Sequence, residues 1–117
     1  MPTTQKVVLV PRFTAFSAQQ SFRSAPIDVR DFATAELTGW RSEYVGTGTA
    51  FSIRLEESVD LLTWRTVADS TVVPAADTEE TASCELEMPW VRVWVSLGGT
   101  NVAVTAWYVG TFTRRDR

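Results

Sequence analysis

The feature that most constrains the fold of this chain is an alternation of apolar and polar side chains from Trp90 to Thr113. Aliphatic residues occupy the odd positions up to Leu97 and the even positions from Val102 onward. Successive side chains of a β-strand point to opposite faces, so a period of two predicts strands. Between the two runs lies Gly98-Gly99-Thr100-Asn101, a sequence typical of a turn. The pattern therefore predicts an antiparallel hairpin whose aliphatic residues share one face. The expected cross-strand pairs are Val95 with Val104, Val93 with Ala106, and Arg92 with Trp107.

The predicted strands place tryptophan on the face opposite their aliphatic residues. The residues with this placement are Trp40, Trp90, Trp94 and Trp107. In one explanation, the chain's own N-terminal arm covers this face with Phe13, Phe16 and Phe22. In a second, a neighbouring subunit buries it, since tryptophan and arginine are enriched at interface hot spots. In a third, the flat rings stack sugars. The expected interface consists of Trp40, Trp90, Arg92, Trp94, Trp107, Phe13 and Phe16, and Arg92 is expected to form a cation–π contact with Trp107.

Length and composition indicate one domain without metal or disulfide support. A chain of 117 residues is long enough for its own core. Its net charge of −3 argues against a general nucleic-acid binder, and its single cysteine, Cys84, is expected on a core face. The short apolar stretch near the N-terminus does not resemble a signal peptide, and the uncharged stretch 93–113 alternates as strands do rather than resembling a membrane helix. We expect an N-terminal arm and first strand over residues 1–25 and a β-sandwich domain over 26–117.

Short alternating runs punctuated by turn residues predict an all-β fold. Lys6–Val10 is expected to form the first strand, and residues 12–25 an extended arm or irregular edge strand. Three further strands are expected over residues 33–44, 49–56 and 62–68, with a hairpin turn at Gly46-Thr47-Gly48 and a polar acidic loop over 73–83. Seven to nine strands at this spacing are typical of a single-domain antiparallel β-sandwich, and we expect it to be jelly-roll-like with an extended N-terminal arm.

Residues able to support catalysis are scarce. The chain contains no histidine, which removes the commonest general base and the commonest zinc ligand. Glu85 and Glu87 alternate as on a solvated sheet face, unlike the paired carboxylates of a glycosidase. Oxygen atoms around Asp60 resemble a polar turn more than a calcium loop. We therefore expect no enzyme, no catalytic residue, no metal site and no cofactor.

Two segments resemble small phage-encoded β-sandwich proteins. RLEESVDLLTWRTV (54–67) is similar to their middle passage through Ser58, Asp60 and Trp64. VRVWVSLGGTNVAVTAWYVG (91–110) is similar to their last strands through Arg92, Gly99 and Thr100. The likeness covers residues 27–113 and departs at Leu61-Leu62, where those proteins more often have a polar or glycine turn.

This resemblance implies a virion protein such as a capsid decoration subunit or a head or tail accessory protein. It implies oligomeric assembly without catalysis, and we expect a bacteriophage capsid decoration subunit, a homo-oligomer with a trimer favoured. The expected partners are capsid or other virion proteins, with neither nucleic acid nor membrane, and the expected location is the virion, assembled in the host cytoplasm. The alternative is a carbohydrate-binding module of a phage tail or fibre, which would bind host glycans.

Overall fold

The computed structural model describes residues 3–17 and 22–115, and these form an all-β, antiparallel, curled sheet. The described part of the chain contains eight strands and no helix, which confirms the predicted single-domain, jelly-roll-like sandwich. No helix in that part is therefore long and apolar enough to span a membrane. The strands are β1 (Thr4–Ser17), β2 (Phe22–Arg23), β3 (Ile27–Asp28), β4 (Phe32–Arg41), β5 (Val45–Ser58), β6 (Arg65–Thr66), β7 (Thr78–Glu85) and β8 (Trp90–Arg114).

The last strand, β8, is the centre of the sheet and runs unbroken for 25 residues. Along one side, residues 90–103 of β8 pair antiparallel with β5, and residues 106–114 pair antiparallel with β4. Along its other side it pairs antiparallel with β1, β2 and β3. The predicted hairpin is therefore wrong, because both alternating runs belong to one strand and neither folds back on the other.

A bulged bend in β8 explains the change of parity that suggested a turn. Gly99 and Asn101 both have positive φ, of 137° and 47°. Opposite them, the register of β5 shifts between Val45 and Thr47 and again between Gly48 and Ala50. An extra residue in one strand of a ladder turns the side chains beyond it to the opposite face of the sheet. A bulge can therefore move the apolar residues from odd to even positions, as a turn can.

The bend divides the sheet into two halves that pack face to face. We call β1, β4, β7 and residues 102–114 of β8 the β1–β7 half, and β2, β3, β5, β6 and residues 90–97 of β8 the β2–β6 half. Between them lies one apolar cluster, to which β8 contributes odd residues before the bend and even residues after it. The buried Tyr108 hydroxyl donates to the Ser70 carbonyl (3.0 Å), which joins β8 to the segment after β6.

Several local predictions are confirmed in this arrangement. The inward-facing residues expected in β4 and β5 are buried, as is the cysteine expected on a core face. They are Ala35, Leu37, Phe51, Ile53, Leu55 and Cys84. The expected first strand is confirmed within β1.

Of the two alternatives expected for residues 12–25, the described residues support the irregular edge strand, because β1 extends to Ser17 with register shifts and, with β2, pairs along β8. Three other local predictions are wrong. Gly46-Thr47-Gly48 lies within β5 and forms no hairpin turn. The strand expected over residues 62–68 is reduced to β6. Much of the expected acidic loop forms β7, since an edge strand can alternate polar outward residues with inward Ala82 and Cys84.

Candidate interaction surface

The four tryptophans predicted to share an interface are divided between two outer faces. Trp90 and Trp94 lie in β8 before the bend, on the outer face of the β2–β6 half. Trp107 lies beyond the bend and pairs with Trp40 of β4, on the outer face of the β1–β7 half. Because the two halves enclose the core between them, these pairs face opposite sides of the molecule. The single tryptophan surface expected from a hairpin is therefore wrong.

Trp94 is flanked across the sheet by two arginines. Its register partners are Arg23 in β2 and Arg54 in β5. The guanidinium carbon of Arg54 lies 3.4 Å from the Trp94 ring centroid, and that of Arg23 lies 5.2 Å away. Guanidinium groups stack favourably on the negative face of an indole. The half-buried Trp94 ring is therefore covered by groups from its own chain.

A second set of charges continues the same outer face. The buried Glu56 carboxylate accepts a hydrogen bond from Arg92 Nε (2.8 Å) and lies 3.4 Å from Arg23 Nε. The Arg92 guanidinium also lies 4.2 Å from the Trp64 ring centroid. The expected contact between Arg92 and Trp107 is wrong, because these residues lie on different halves. We call Arg23, Arg54, Glu56, Trp64, Arg92 and Trp94 the arginine–tryptophan layer.

On the opposite outer face, Trp40 and Trp107 stack with nearly parallel rings. Their centroids are 6.4 Å apart with an interplanar angle of 10°. Trp107 is only 7% exposed, and Arg12 of β1 places its guanidinium 5.3 Å from that ring. Since Trp107 is already buried within the chain, this pair offers a partner less exposed surface than we expected from the alternation of the sequence.

The phenylalanines of the predicted arm do not cover the tryptophans. Phe16 is half-buried against the core and pairs with Val104, and its ring contacts that of Phe22 at 5.6 Å. Phe13 is 71% exposed with a φ of 62°, at an irregularity of β1. The arm segment does cover two indoles, through Arg12 and Arg23. Phe13 is thus the most exposed of the predicted interface residues, and its interface role stays a prediction.

The loop between β5 and β6 displays three aliphatic side chains to solvent. Val59, Leu61 and Leu62 are exposed, and Leu62 is 85% exposed. Asp60 orders the loop, because its Oδ1 accepts hydrogen bonds from the backbone N–H groups of Leu62 and Thr63 (both 2.9 Å) and from Ser58 Oγ. The two backbone donors hold the Asp60 pKa below its usual value. We call residues 59–62 the aliphatic loop.

Two acidic residues, Glu57 and Glu87, bind Arg65 at the edge of a groove. Buried Glu57 accepts hydrogen bonds from Arg65 Nε (3.0 Å) and from the Glu87 backbone N–H (3.1 Å), beside a polar groove of about 730 Å³. Glu87 itself pairs with Arg65 at 2.7 Å. Among the residues that the structure describes, no group of three His, Cys, Asp or Glu side chains could hold a metal ion.

Sequence reasoning missed the cross-strand partners of the tryptophans and the exposure of the aliphatic loop. Arg23, Arg54 and Glu56 were not expected at the surface site, because each contacts Trp94 or Arg92 through a register that sequence spacing does not reveal. A usable signal for the loop was present at Leu61-Leu62, two adjacent leucines in a segment expected to form a polar turn.

The fold, but not the sequence, is similar to that of proteins of viral origin. No protein-family profile and no curated protein matches the sequence. The SPBc2 prophage-derived protein YomS superposes with a TM-score of 0.56 at 16% identity, covering 97% of this chain and 95% of that one. The infectious bursal disease virus VP2 subviral particle gives a TM-score of 0.60 at 12% identity, and the T13 particle of that virus gives the same values. The match covers 97% of this chain but spans only about a third of those viral chains, 32% and 31%. At these identities the likeness establishes a shared β-fold, found in a prophage-derived protein and in viral particles.

Proposed function

We propose that this protein is a structural component of a bacteriophage virion, most specifically a capsid decoration subunit that acts by assembly and not by catalysis. The observation that carries the proposal is the fold, which matches a prophage-derived protein over nearly the full length of both chains. The likeness to chains of icosahedral viral particles supports the same role. In the part of the chain that the structure describes, the longest connection between strands is residues 67–77, and such a compact β-sandwich suits a subunit that is repeated on a shell.

The aliphatic loop is the surface we assign to contact with the particle. Because the loop backbone is already ordered, docking of its exposed aliphatic side chains avoids the entropic cost of ordering the loop, and this favours binding. The Asp60 hydrogen bonds provide that order before any partner arrives. Other virion proteins with an apolar groove would accept Leu61 and Leu62, which are exposed in the free protein.

The alternative of a carbohydrate-binding module has weaker support from the surface. Sugar rings stack on a bare aromatic face, whereas the Trp94 ring is covered by Arg54 and the buried Trp107 stacks on Trp40. A glycan titration monitored by tryptophan fluorescence tests this alternative directly. A saturable shift with one glycan, absent with its epimers, would favour adhesion over decoration.

The proposed role is tested by locating the protein in purified particles from its source. Quantitative peptide mass spectrometry should find it at a copy number comparable to that of the major capsid protein. Recovery of the protein only outside the particles would contradict the proposal. Recovery at a few copies per particle would assign it to a neck or tail position instead.

The particle contact is tested by changing one side chain of the aliphatic loop. Leu62→Asp should abolish co-sedimentation with particles that lack the protein, while its melting temperature stays within a few degrees of the wild type. Val73→Asp is the matched control, because Val73 is also an exposed aliphatic residue outside the loop. Equal binding by the two variants would show that the loop makes no particle contact.

A further inference from the structure

The β1–β7 half ends in two free strand edges. Within the described residues, β1 pairs only with β8, and β7 pairs only with β4. Both strands are largely exposed along their length. A free edge presents unpaired backbone N–H and C=O groups that can add a further strand.

These two edges carry opposite charge. The charged residues of β1 are Lys6 and Arg12, both basic. The charged residues of β7 are Glu79, Glu80 and Glu85. The ion pairs found among the described residues involve none of these five side chains. Within the described residues, the charges of the two edges are therefore not neutralised by ion pairs.

The strand register shows which side chains of β1 and β7 lie on the outer face of the β1–β7 half. Lys6 and Val8 pair with Thr111 and Val109, which lie on the same outer face as Trp107. On β7, Glu79 pairs with Trp40 of that face, and Glu85 is six residues further along the same strand. If β1 of one copy joined β7 of another with both outer faces on one side, the Lys6 side chain would lie among the β7 glutamates.

Strand direction also fits such a contact. Both β1 and β4 run antiparallel to β8, and β7 runs antiparallel to β4, so β1 and β7 run in opposite directions. A rotation about an axis parallel to the strands preserves these directions. A copy added edge to edge would thus form an antiparallel pair, like every named strand pair in this sheet.

We propose that copies of this chain associate head to tail, with residues Thr4–Val8 of β1 pairing with β7 of the next copy. The regular ladder of β1 breaks after Val8, where the register shifts, so this five-residue segment is the part suited to pairing. Such a heterologous contact closes into a ring when its rotation permits. This contact would provide the assembly that the proposed virion role requires. It rests on the proposed function only for its biological purpose.

The edge charges also exclude the competing contacts. Charged residues on an edge usually prevent pairing between sheets. Here, pairing of β1 with β1 would oppose basic residues, and pairing of β7 with β7 would oppose glutamates. Only the unlike edges attract each other, and this charge pattern selects one partner and one direction of growth.

Two complementary blocked variants test the proposal. Lys6→Glu with Val8→Glu blocks the β1 edge, and Glu79→Lys with Glu85→Lys blocks the β7 edge. In sedimentation equilibrium, the wild type should exceed its monomer mass of 13.0 kDa as concentration rises, and added salt should reduce this. Each variant alone should be monomeric. Their mixture should form assemblies that contain both variants, because the unchanged β7 edge of one attracts the unchanged β1 edge of the other and the two reversed edges also carry opposite charges.

Control variants separate edge contact from net charge and from misfolding. Glu79→Lys should weaken self-association, whereas Glu43→Lys, the same change in the exposed segment between β4 and β5, should not. Circular dichroism confirms that each variant is folded. A wild type that stays monomeric, or folded blocked variants that fail to combine, would overturn the proposal.

The outcome remains separable from that of the proposed function. A monomeric protein that is nonetheless abundant in particles would refute the head-to-tail contact and leave the virion role intact. Self-association by a protein that particles lack would uphold the contact and refute that role.

Discussion

The guanidinium of Arg54 stacks on Trp94, its cross-strand neighbour in the register of β5 and β8, with 3.4 Å between the guanidinium carbon and the ring centroid. The Arg54 Nε atom is buried without a hydrogen-bond partner among the described residues. The stack makes Trp94 part of an intramolecular layer. A partner that docked on this ring would first have to displace the arginine.

Arg54→Ala should lower the free energy of unfolding by about 1–2 kcal/mol. The substitution removes both the cation–π contact and the packing of the arginine stem on the ring. Ser52→Ala, two residues earlier on the same face of β5, is the control and should change stability by less than about 0.5 kcal/mol. Urea unfolding of both variants measures the difference. Equal stability of the two would show that the stack contributes nothing to folding.

Gly39 and Val72 provide a test of how closely the two halves of the sheet approach. A Cβ atom added at Gly39 would lie 2.6 Å from Val72 Cγ2, and Val72 is fully buried. Gly39→Ala should therefore destabilise the protein by about 1–3 kcal/mol through overpacking. Val72→Ala should cost about 1–3 kcal/mol by leaving a cavity.

The double variant Gly39→Ala, Val72→Ala should be more stable than the sum of its single changes predicts. The added methyl group occupies space that the smaller side chain leaves open, so the two effects are coupled. A double-mutant cycle from urea unfolding measures this coupling. Strict additivity would place the two residues out of contact.

Burial of Cys84 predicts a loss of stability at high pH. Burial first, and then the nearby Glu57 charge, raise the Cys84 pKa from 9.0 to about 11. Because the folded-state pKa exceeds the unfolded one, the neutral thiol's contribution is fully present below pH 9 and is lost as the pH rises to about 11. Cys84→Ala should lose less of its free energy of unfolding across this window than the wild type.

The comparison isolates Cys84 because Tyr108, whose pKa burial also raises, is present in both proteins. Chemical denaturation below pH 9 and near pH 11 gives the required pair of free energies. Parallel losses in the two proteins would assign the alkaline destabilisation to groups other than this thiol.

Local patterns predicted the faces of the strands better than their connections. Alternation correctly identified Leu37 and Ile53 as buried residues, because the period of two is a property of each strand alone. The pairing of Arg23 with Trp94 joins residues far apart in sequence, so no local pattern could reveal it. The prediction that the tryptophans share one face was wrong for the same reason, since it depended on the hairpin; their role in an interface stays a prediction.

The hairpin prediction failed because two backbone arrangements produce one sequence pattern. Glycine and asparagine are favoured at positive φ both in tight turns and in bulges. Only the ladder between β5 and β8, which continues past Gly98 and Gly99, distinguishes them. That ladder is a long-range contact, whereas the turn signal is local.

Alanine substitutions at the two adjacent glycines test the unbroken strand. At Gly99, with φ of 137°, an added Cβ would lie 2.1 Å from the backbone oxygen of Thr47 in β5. At Gly98, the nearest atom is Thr49 Oγ1 at 2.9 Å, a side-chain atom that can rotate away. Gly99→Ala should therefore destabilise the protein by about 3 kcal/mol or more, since strain and a backbone collision combine.

Gly98→Ala should cost about 1 kcal/mol or less, which makes it the matched control for the same chemical change one residue away. Thermal and urea unfolding of the two variants measure the contrast. In a hairpin that turned at this point, β5 would not lie against Gly99, and the Thr47 oxygen would exclude no side chain there. Similar stabilities for the two variants would thus contradict the bent strand, whereas a large difference follows from its close contact with β5.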